Sequence, residues 1–122
     1  MSQMLEWNEY QKEIMARVGE YSKLSTETIK GFVALDQAAF KTNYLDAKTK
    51  ELIALAVAVT TRCDGCITVH TSNALKHGAT REEVGEALSV AIALNAGAAL
   101  VYSTRVLDAY AAKADGAGKS GS

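Results

Sequence analysis

The sequence predicts an all-helical protein of one domain, built from about six helices. Proline, which breaks helices, does not occur among the 122 residues. Alanine, the best helix former, is frequent. Hydrophobic residues make up 48% of the chain, the upper end of ordinary usage, so we expect part of their surface to be buried in a homo-oligomer. We expect residues 1–115 to form this domain and residues 116–122, rich in Gly and Ser, to form a disordered tail.

The first three helices are predicted from apolar spacing and from capping residues. Residues 5–21 carry an apolar stripe with charged residues between its members. A second helix follows, with Ser25 or Thr26 as its cap. Asp46 can cap a third helix over residues 47–61. The later half of that helix is apolar on every side, which is typical of a central helix or of a subunit contact.

The rest of the chain is predicted to form three more helices. The fourth begins near Cys66, and Gly78 is placed to end it. The sequence TREE, residues 80–83, is a capping box for the fifth. The small residues 95–98 predict either a break or a tight helix crossing, and a last helix then runs to about Lys113.

Charge and composition narrow the class of partner. The net charge is −1 and the pI is about 6.1, so nothing favours binding to nucleic acid or to an anionic membrane. The apolar tract 87–102 falls short of the ~20 residues that a membrane helix needs and is predicted to be buried in protein.

The N-terminus resembles no export signal, so we expect a cytoplasmic location. Thiols are kept reduced there, and a close pair of cysteines is then more often catalytic or metal-binding than structural.

The motif that carries chemistry is CDGC, residues 63–66, which contains the two cysteines of the chain and is followed by His70. Cys66 falls in the first turn of the predicted fourth helix, where free N–H groups and the helix dipole favour the thiolate. His70 lies one turn later on the same face and can accept or return a proton. Cys63 is close enough to form a disulfide. The pattern predicts a redox-active dithiol.

Two other interpretations use the same residues. Cys63, Cys66 and His70 could be zinc ligands, but a fourth ligand is hard to find, because His77 lies about 10 Å further along the helix. Two unused buried thiols are less expected at this spacing. His77 precedes Gly78 and is expected to help end the helix. No motif for flavin, nucleotide or haem occurs, so neither a cofactor nor a metal is expected.

With Glu51 included, the spacing resembles the E-x11-C-x2-C-x3-H signature of the AhpD-like alkylhydroperoxidases, in the carboxymuconolactone decarboxylase superfamily. The four residues here are Glu51, Cys63, Cys66 and His70. The helical pattern between residues 30 and 107 also resembles the core of that family. The resemblance implies an all-α fold that assembles into trimers or hexamers.

The same resemblance implies a two-cysteine thiol peroxidase, an antioxidant enzyme that reduces hydroperoxides. Cys66 would be the peroxidatic thiol, Cys63 the resolving thiol, and His70 and Glu51 the proton relay. A lipoyl-type or thioredoxin-like dithiol would reduce the resulting disulfide. Two alternatives use the same fold: a carboxymuconolactone decarboxylase-like enzyme, and a disulfide reductase or redox sensor.

Glu51 and Asp64 are the two residues whose effect the sequence leaves open. Glu51 lies about 18 Å from Cys63 along a straight helix, and it comes level with the residues beyond His70 if the third and fourth helices fold back antiparallel. From the residues alone, Glu51 is equally well a first-turn charge favoured by the helix dipole. Asp64 places a negative charge beside the thiols and should partly offset the effect of the dipole on the thiolate.

Overall fold

A computed structural model describes residues 2–120, and helices make up most of this part of the chain. The helices are α1 (Trp7–Leu24), α2 (Thr26–Phe40), α3 (Ala47–Thr61), α4 (Asp64–Lys76) and α5 (Arg81–Ser120). No strand occurs among these residues. The prediction of an all-helical fold is confirmed.

Helix α3 begins and ends at residues that suit its caps. The side chain of Asp46 accepts a hydrogen bond from the backbone N–H of Thr49 at 2.8 Å, as its predicted capping role requires. Hydrogen bonding from Thr49 lowers the pKa of Asp46. At the other end Arg62 adopts the left-handed conformation, with φ of 56°. This residue lets the chain reverse into α4 within two residues, and therefore brings α4 back alongside α3.

Helix α3 is the centre of the fold, because α4 and α5 both pack against it. Leu55 of α3 is buried together with Ala74 and Ala79, and Leu52 and Val84 pack against this cluster. Of the two roles that the sequence allows for α3, a central helix or a subunit contact, the packing within one chain shows the first. The buried side chains are small, so the core of a single chain is thin.

An ion pair joins α3 to the start of α5. Lys48 Nζ lies 2.7 Å from Glu83 Oε2. The hydrogen bond from Lys48 lowers the pKa of Glu83, and the same bond raises the pKa of Lys48. Glu83 also completes the predicted capping box, since its side chain accepts from the Thr80 N–H while its own N–H donates to Thr80 Oγ1.

Helix α1 packs against α4, and α2 packs against α1. The hydroxyl of Thr68 donates to the side-chain oxygen of Gln11 at 3.3 Å, and the hydroxyl of Ser72 donates to the same oxygen at 3.4 Å. Ile14 lies over Gly65, at a distance where an added Cβ would be in ordinary van der Waals contact. Helix α1 therefore approaches α4 directly at the CDGC motif.

The predicted break at residues 95–98 does not occur, and five helices rather than six are present in the described part of the chain. Asn95 stays within the helix because its side-chain amide donates to the Ala91 carbonyl at 2.7 Å and to Thr60 Oγ1 at 2.9 Å. Nothing lies within 4 Å of a Cβ built on Gly97, which excludes a tight crossing there within one chain. The result is a single helix of 40 residues.

Two further expectations concern α5. The helix continues to Ser120, through most of the segment for which the sequence predicts a disordered tail. Residues 121 and 122 lie outside the described residues, and a domain boundary at residue 115 stays a prediction. The prediction that tract 87–102 is buried is wrong for a single chain, because most of its large apolar side chains are exposed. By length and composition alone, α5 is also long and apolar enough to cross a membrane.

Candidate redox site

The two cysteines lie at the start of α4. Cys63 is the N-cap residue, and its Sγ accepts a hydrogen bond from the backbone N–H of Cys66 at 3.1 Å. Cys66 is in the first turn of the helix, as predicted. The two residues form a disulfide, with Cα atoms 5.2 Å apart. The dithiol of the motif is therefore present in its oxidised form.

The disulfide is not sealed from solvent. Cys63 and Cys66 are each half-buried, and Asp64 between them is exposed. Asp64 occupies the first position of α4, where a carboxylate interacts favourably with the helix dipole. Its charge therefore stabilises the helix. In the reduced protein, the same charge would oppose the effect of the dipole on a thiolate of Cys63 or Cys66.

Glu51 and His70 form a pair across α3 and α4. Oε2 of Glu51 lies 2.6 Å from Nδ1 of His70. Glu51 is only 5% exposed, so its carboxyl group is held away from water beside the imidazole of His70. It lies beyond the first turn of α3, which has no acidic residue there, so the interpretation of Glu51 as a first-turn charge is wrong.

The pair determines which ring nitrogen of His70 can act as a base. When Glu51 is ionised and the imidazole is neutral, Nδ1 carries the proton that Glu51 accepts, because an ionised carboxylate only accepts hydrogen bonds. Nε2 is then left with its lone pair. Because His70 follows Cys66 by one helical turn, this base lies on the face of α4 that carries the second cysteine.

Two residues that the sequence analysis did not single out complete the surroundings of His70. The ring of Phe40 stacks on the imidazole, with centroids 5.3 Å apart and an angle of 14° between the planes. Nζ of Lys50 donates to the carbonyls of Ala39 and Lys41, at 2.7 Å each. No periodic signal could have linked these residues to His70, because their contacts form only where the end of α2 meets α3.

His77 lies apart from this group. It is the C-cap residue of α4, and its backbone N–H donates to the carbonyls of Asn73 and Ala74, which confirms the predicted position at the end of the helix. Gly78 follows with a positive φ of 79°, as a helix-ending glycine should. In the part of the chain that the structure describes, no three His, Cys, Asp or Glu side chains are grouped as metal ligands would be.

The fold and the site define a class of protein: an all-helical domain with a CxxC disulfide at a helix N-terminus and a largely buried Glu–His pair, whose histidine lies one turn after the second cysteine. The sequence profile of the carboxymuconolactone decarboxylase family matches residues 26–109. The chain belongs to this family, which confirms the resemblance drawn from the four-residue signature.

Relatives and solved structures of similar fold match between 70% and 86% of the chain. An uncharacterized protein of Haemophilus influenzae is 50% identical over 105 residues, which cover 86% of this chain and 93% of the relative. An apo crystal structure of a carboxymuconolactone decarboxylase family protein from Legionella pneumophila has 40% identity and a TM-score of 0.70, and the match covers 85% of this chain and 93% of that one. A structure from Methanobacterium thermoautotrophicum has 30% identity and a TM-score of 0.66 over 70% of this chain and 97% of that one.

Proposed function

We propose that the protein is a two-cysteine thiol peroxidase of the AhpD-like type, which reduces hydroperoxides through Cys63 and Cys66. The observation that carries the proposal is the contact between buried Glu51 and half-buried His70, which lies one helical turn after Cys66 of the disulfide. A structural disulfide has no need of a base beside it. A catalytic dithiol does, because the thiolate is the reactive form.

The first step oxidises Cys66. Nε2 of His70 takes the proton of the Cys66 thiol, and the Glu51 carboxylate stabilises the imidazolium that forms. The thiolate attacks the terminal oxygen of the hydroperoxide, so that an S–O bond forms as the O–O bond breaks. The alkoxide that leaves takes the proton back from His70. The products are an alcohol and a sulfenic acid on Cys66.

The next steps return the dithiol. The Cys63 thiol attacks the Cys66 sulfenic sulfur, which forms the disulfide and releases water. An external dithiol, of lipoyl type or on a thioredoxin-like protein, then supplies two electrons and two protons by thiol–disulfide exchange and becomes a disulfide itself. Both cysteine residues are half-buried rather than buried, which supports access by such a reductant. The proposal includes a cytoplasmic location, because thiol reductants are kept reduced there.

Thiol counting is the experiment that tests this function. Fully reduced protein treated with one equivalent of an organic hydroperoxide is expected to lose both thiols and two mass units, because a disulfide forms within the chain. In Cys63→Ser, the same treatment should leave Cys66 as a sulfenic acid, which a dimedone-type reagent traps as an adduct. Free-thiol titration and intact mass spectrometry measure both results.

Two outcomes would contradict the peroxidase. If peroxide oxidises the two thiols no faster than it oxidises a small-molecule thiol, Cys66 is not a peroxidatic residue. If a disulfide compound oxidises the pair rapidly while peroxide does not, the chain is a disulfide reductase or redox sensor instead. The same protein unfolded in denaturant serves as the control, because its cysteines are no longer held near His70 and Glu51.

We also propose that the chain assembles with copies of itself, as trimers or hexamers. The thin core of a single chain leaves a large apolar surface on α5 uncovered. The exposed large apolar side chains of this helix are Val90, Ile92, Leu94, Leu100, Val101, Tyr102, Val106, Leu107 and Tyr110. Monomeric proteins rarely expose a continuous apolar surface of this size. The first half of α5 packs on α3 and forms an ion pair with it, which favours protein rather than lipid as the cover.

Light scattering is expected to give a mass three or six times that of the 13.0 kDa chain. Leu100→Glu should lower that mass, because it places a charge in the apolar surface of α5, where Leu100 is 73% exposed. Leu24→Glu is the matched control, since Leu24 is 83% exposed but lies at the end of α1. A wild-type mass near that of one chain would contradict self-assembly.

A further inference from the structure

His70 is restrained on one face as well as at one edge. Phe40, the last residue of α2, lies nearly parallel to the imidazole with its centroid 5.3 Å away. Both rings are half-buried. Because stacking uses the face of a ring, this contact leaves both ring nitrogens available at the edge. Phe40 therefore restrains the ring plane without occupying Nδ1 or Nε2.

This second restraint has a mechanical purpose. The hydrogen bond from Nδ1 to Glu51 fixes one point of the imidazole. Rotation about the side-chain torsions of His70 can still tilt the ring about that contact, and such a tilt moves Nε2. A flat apolar ring stacked on the imidazole opposes the tilt and also excludes water from that face.

Lys50 keeps Phe40 in place. Its ammonium donates to the carbonyls of Ala39 and Lys41, the residues on either side of Phe40. These carbonyls belong to the end of α2, where backbone acceptors lack helical partners and the helix dipole favours a cation. Lys50 directly precedes Glu51 in α3. Two consecutive residues of α3 thus restrain His70, Glu51 by direct contact and Lys50 through Phe40.

We propose that Phe40 is a positioning residue for proton transfer at His70, and that Lys50 is the clamp that keeps Phe40 on the imidazole. The kinetic consequence rests on the proposed function, whereas the orientation of His70 is a property of the folded chain in any reaction. Phe40 acts through His70 and needs no contact with the peroxide.

The orientation can be measured without any turnover. The chain contains two histidines, so in protein labelled at histidine, His77 serves as an internal reference for His70. Stacking on Phe40 should shift the carbon-bound ring protons of His70 upfield of those of His77. Phe40→Leu is expected to abolish that shift and leave His77 unchanged. Phe40→Tyr should restore it, because a phenol ring stacks in the same way.

The clamp is tested by a second pair of variants in the same spectra. Lys50→Met keeps the aliphatic stem but removes the ammonium, and it should weaken the shift of His70 in the same direction as Phe40→Leu. Lys50→Arg should restore the shift, since a guanidinium can donate to two carbonyls. Equal spectra for Lys50→Met and wild type would overturn the role of Lys50.

The kinetic readout is alkylation of Cys66 by iodoacetamide in a Cys63→Ser background, which leaves one thiol to follow. Phe40→Leu is expected to slow this reaction about 3- to 10-fold near neutral pH, a part of the ~100-fold or more that a positioned base contributes. Phe40→Tyr should recover most of the rate. Phe32→Leu is the matched control, because Phe32 is also in α2, is 60% exposed and does not stack on His70.

The possible outcomes separate cleanly. Wild-type ring shifts and alkylation rates in Phe40→Leu would overturn the proposal, and so would an equal loss in Phe32→Leu, which would point to the stability of α2 alone. If Phe40→Leu does not fold, nuclear Overhauser contacts between the Phe40 and His70 rings in the wild type decide, and their absence overturns the proposal. If the ring shifts respond as expected while wild-type protein consumes no peroxide, the peroxidase fails and the positioning role stands.

Discussion

Replacing Cys66 by serine is expected to reduce peroxide consumption to the uncatalysed background. A serine hydroxyl is a far weaker acid than a thiol and is not oxidised by peroxide, so the first step of the proposed cycle cannot occur. The backbone N–H of residue 66, which donates to the sulfur of Cys63, is unchanged by the substitution. The cap of α4 should therefore persist, and circular dichroism should match that of the wild type.

The comparison with Cys63→Ser separates the roles of the two sulfurs. That variant should consume one equivalent of peroxide per chain and then stop, because Cys66 is oxidised but not resolved. Peroxide consumption by Cys66→Ser, which retains Cys63, would show that Cys63 attacks the peroxide and would contradict the proposed role of Cys66. Turnover of a carboxylated lactone by Cys66→Ser would instead support the carboxymuconolactone decarboxylase-like alternative, since that chemistry would not depend on the thiol.

Replacing Glu51 by glutamine is expected to slow the reaction of Cys66 with peroxide by roughly 10- to 100-fold. This range corresponds to the ~1.5–3 kcal/mol that a hydrogen bond to a charged group contributes. Glutamine nearly preserves the volume of the buried side chain but removes the charge that stabilises the His70 imidazolium. Less thiolate is then present at neutral pH. Stopped-flow measurement of thiol loss under excess peroxide gives the rate directly.

Two further variants bracket this result. Glu82→Gln removes a carboxylate from the exposed first turn of α5, away from His70, and should react at the wild-type rate. Glu51→Asp keeps the charge but shortens the side chain by one methylene, and its rate should fall between those of glutamine and glutamate. A Glu51→Gln protein that reacts at the wild-type rate across the pH range would remove Glu51 from the relay.

Local signals in the sequence predicted most of the helix boundaries. Asp46 caps α3, and the Thr80–Glu83 capping box starts α5, because each of these interactions joins residues only three positions apart. The continuity of α5 was not predictable in the same way. Asn95 is compatible with a helix end or a helix interior, and what favours the interior here is a hydrogen bond to Thr60, 35 residues away in sequence.

In the candidate site, too, contacts between residues close in sequence were predictable and contacts between distant residues were not. Cys63, Cys66 and His70 lie within about two turns at the start of α4, so their proximity follows from helical spacing. The approach of Glu51 to His70 depends on the reversal at Arg62, and helical spacing alone placed Glu51 far from the thiols. The contact of Phe40 with His70 could not be predicted from the sequence, because it depends on how three helices meet.

The N-cap position of Cys63 limits what the helix can do for the chemistry. An N–H group at the start of α4 points at the Cys63 sulfur, while Cys66 sits within the same first turn. The positive end of the dipole therefore favours negative charge on either sulfur and makes no choice between them. A helix terminus stabilises a thiolate, but it does not decide which of the two sulfurs carries the charge. The direction must come from the base: His70 follows Cys66 by one helical turn on the same face of α4, which favours Cys66 over Cys63 as the attacking sulfur in the proposed cycle.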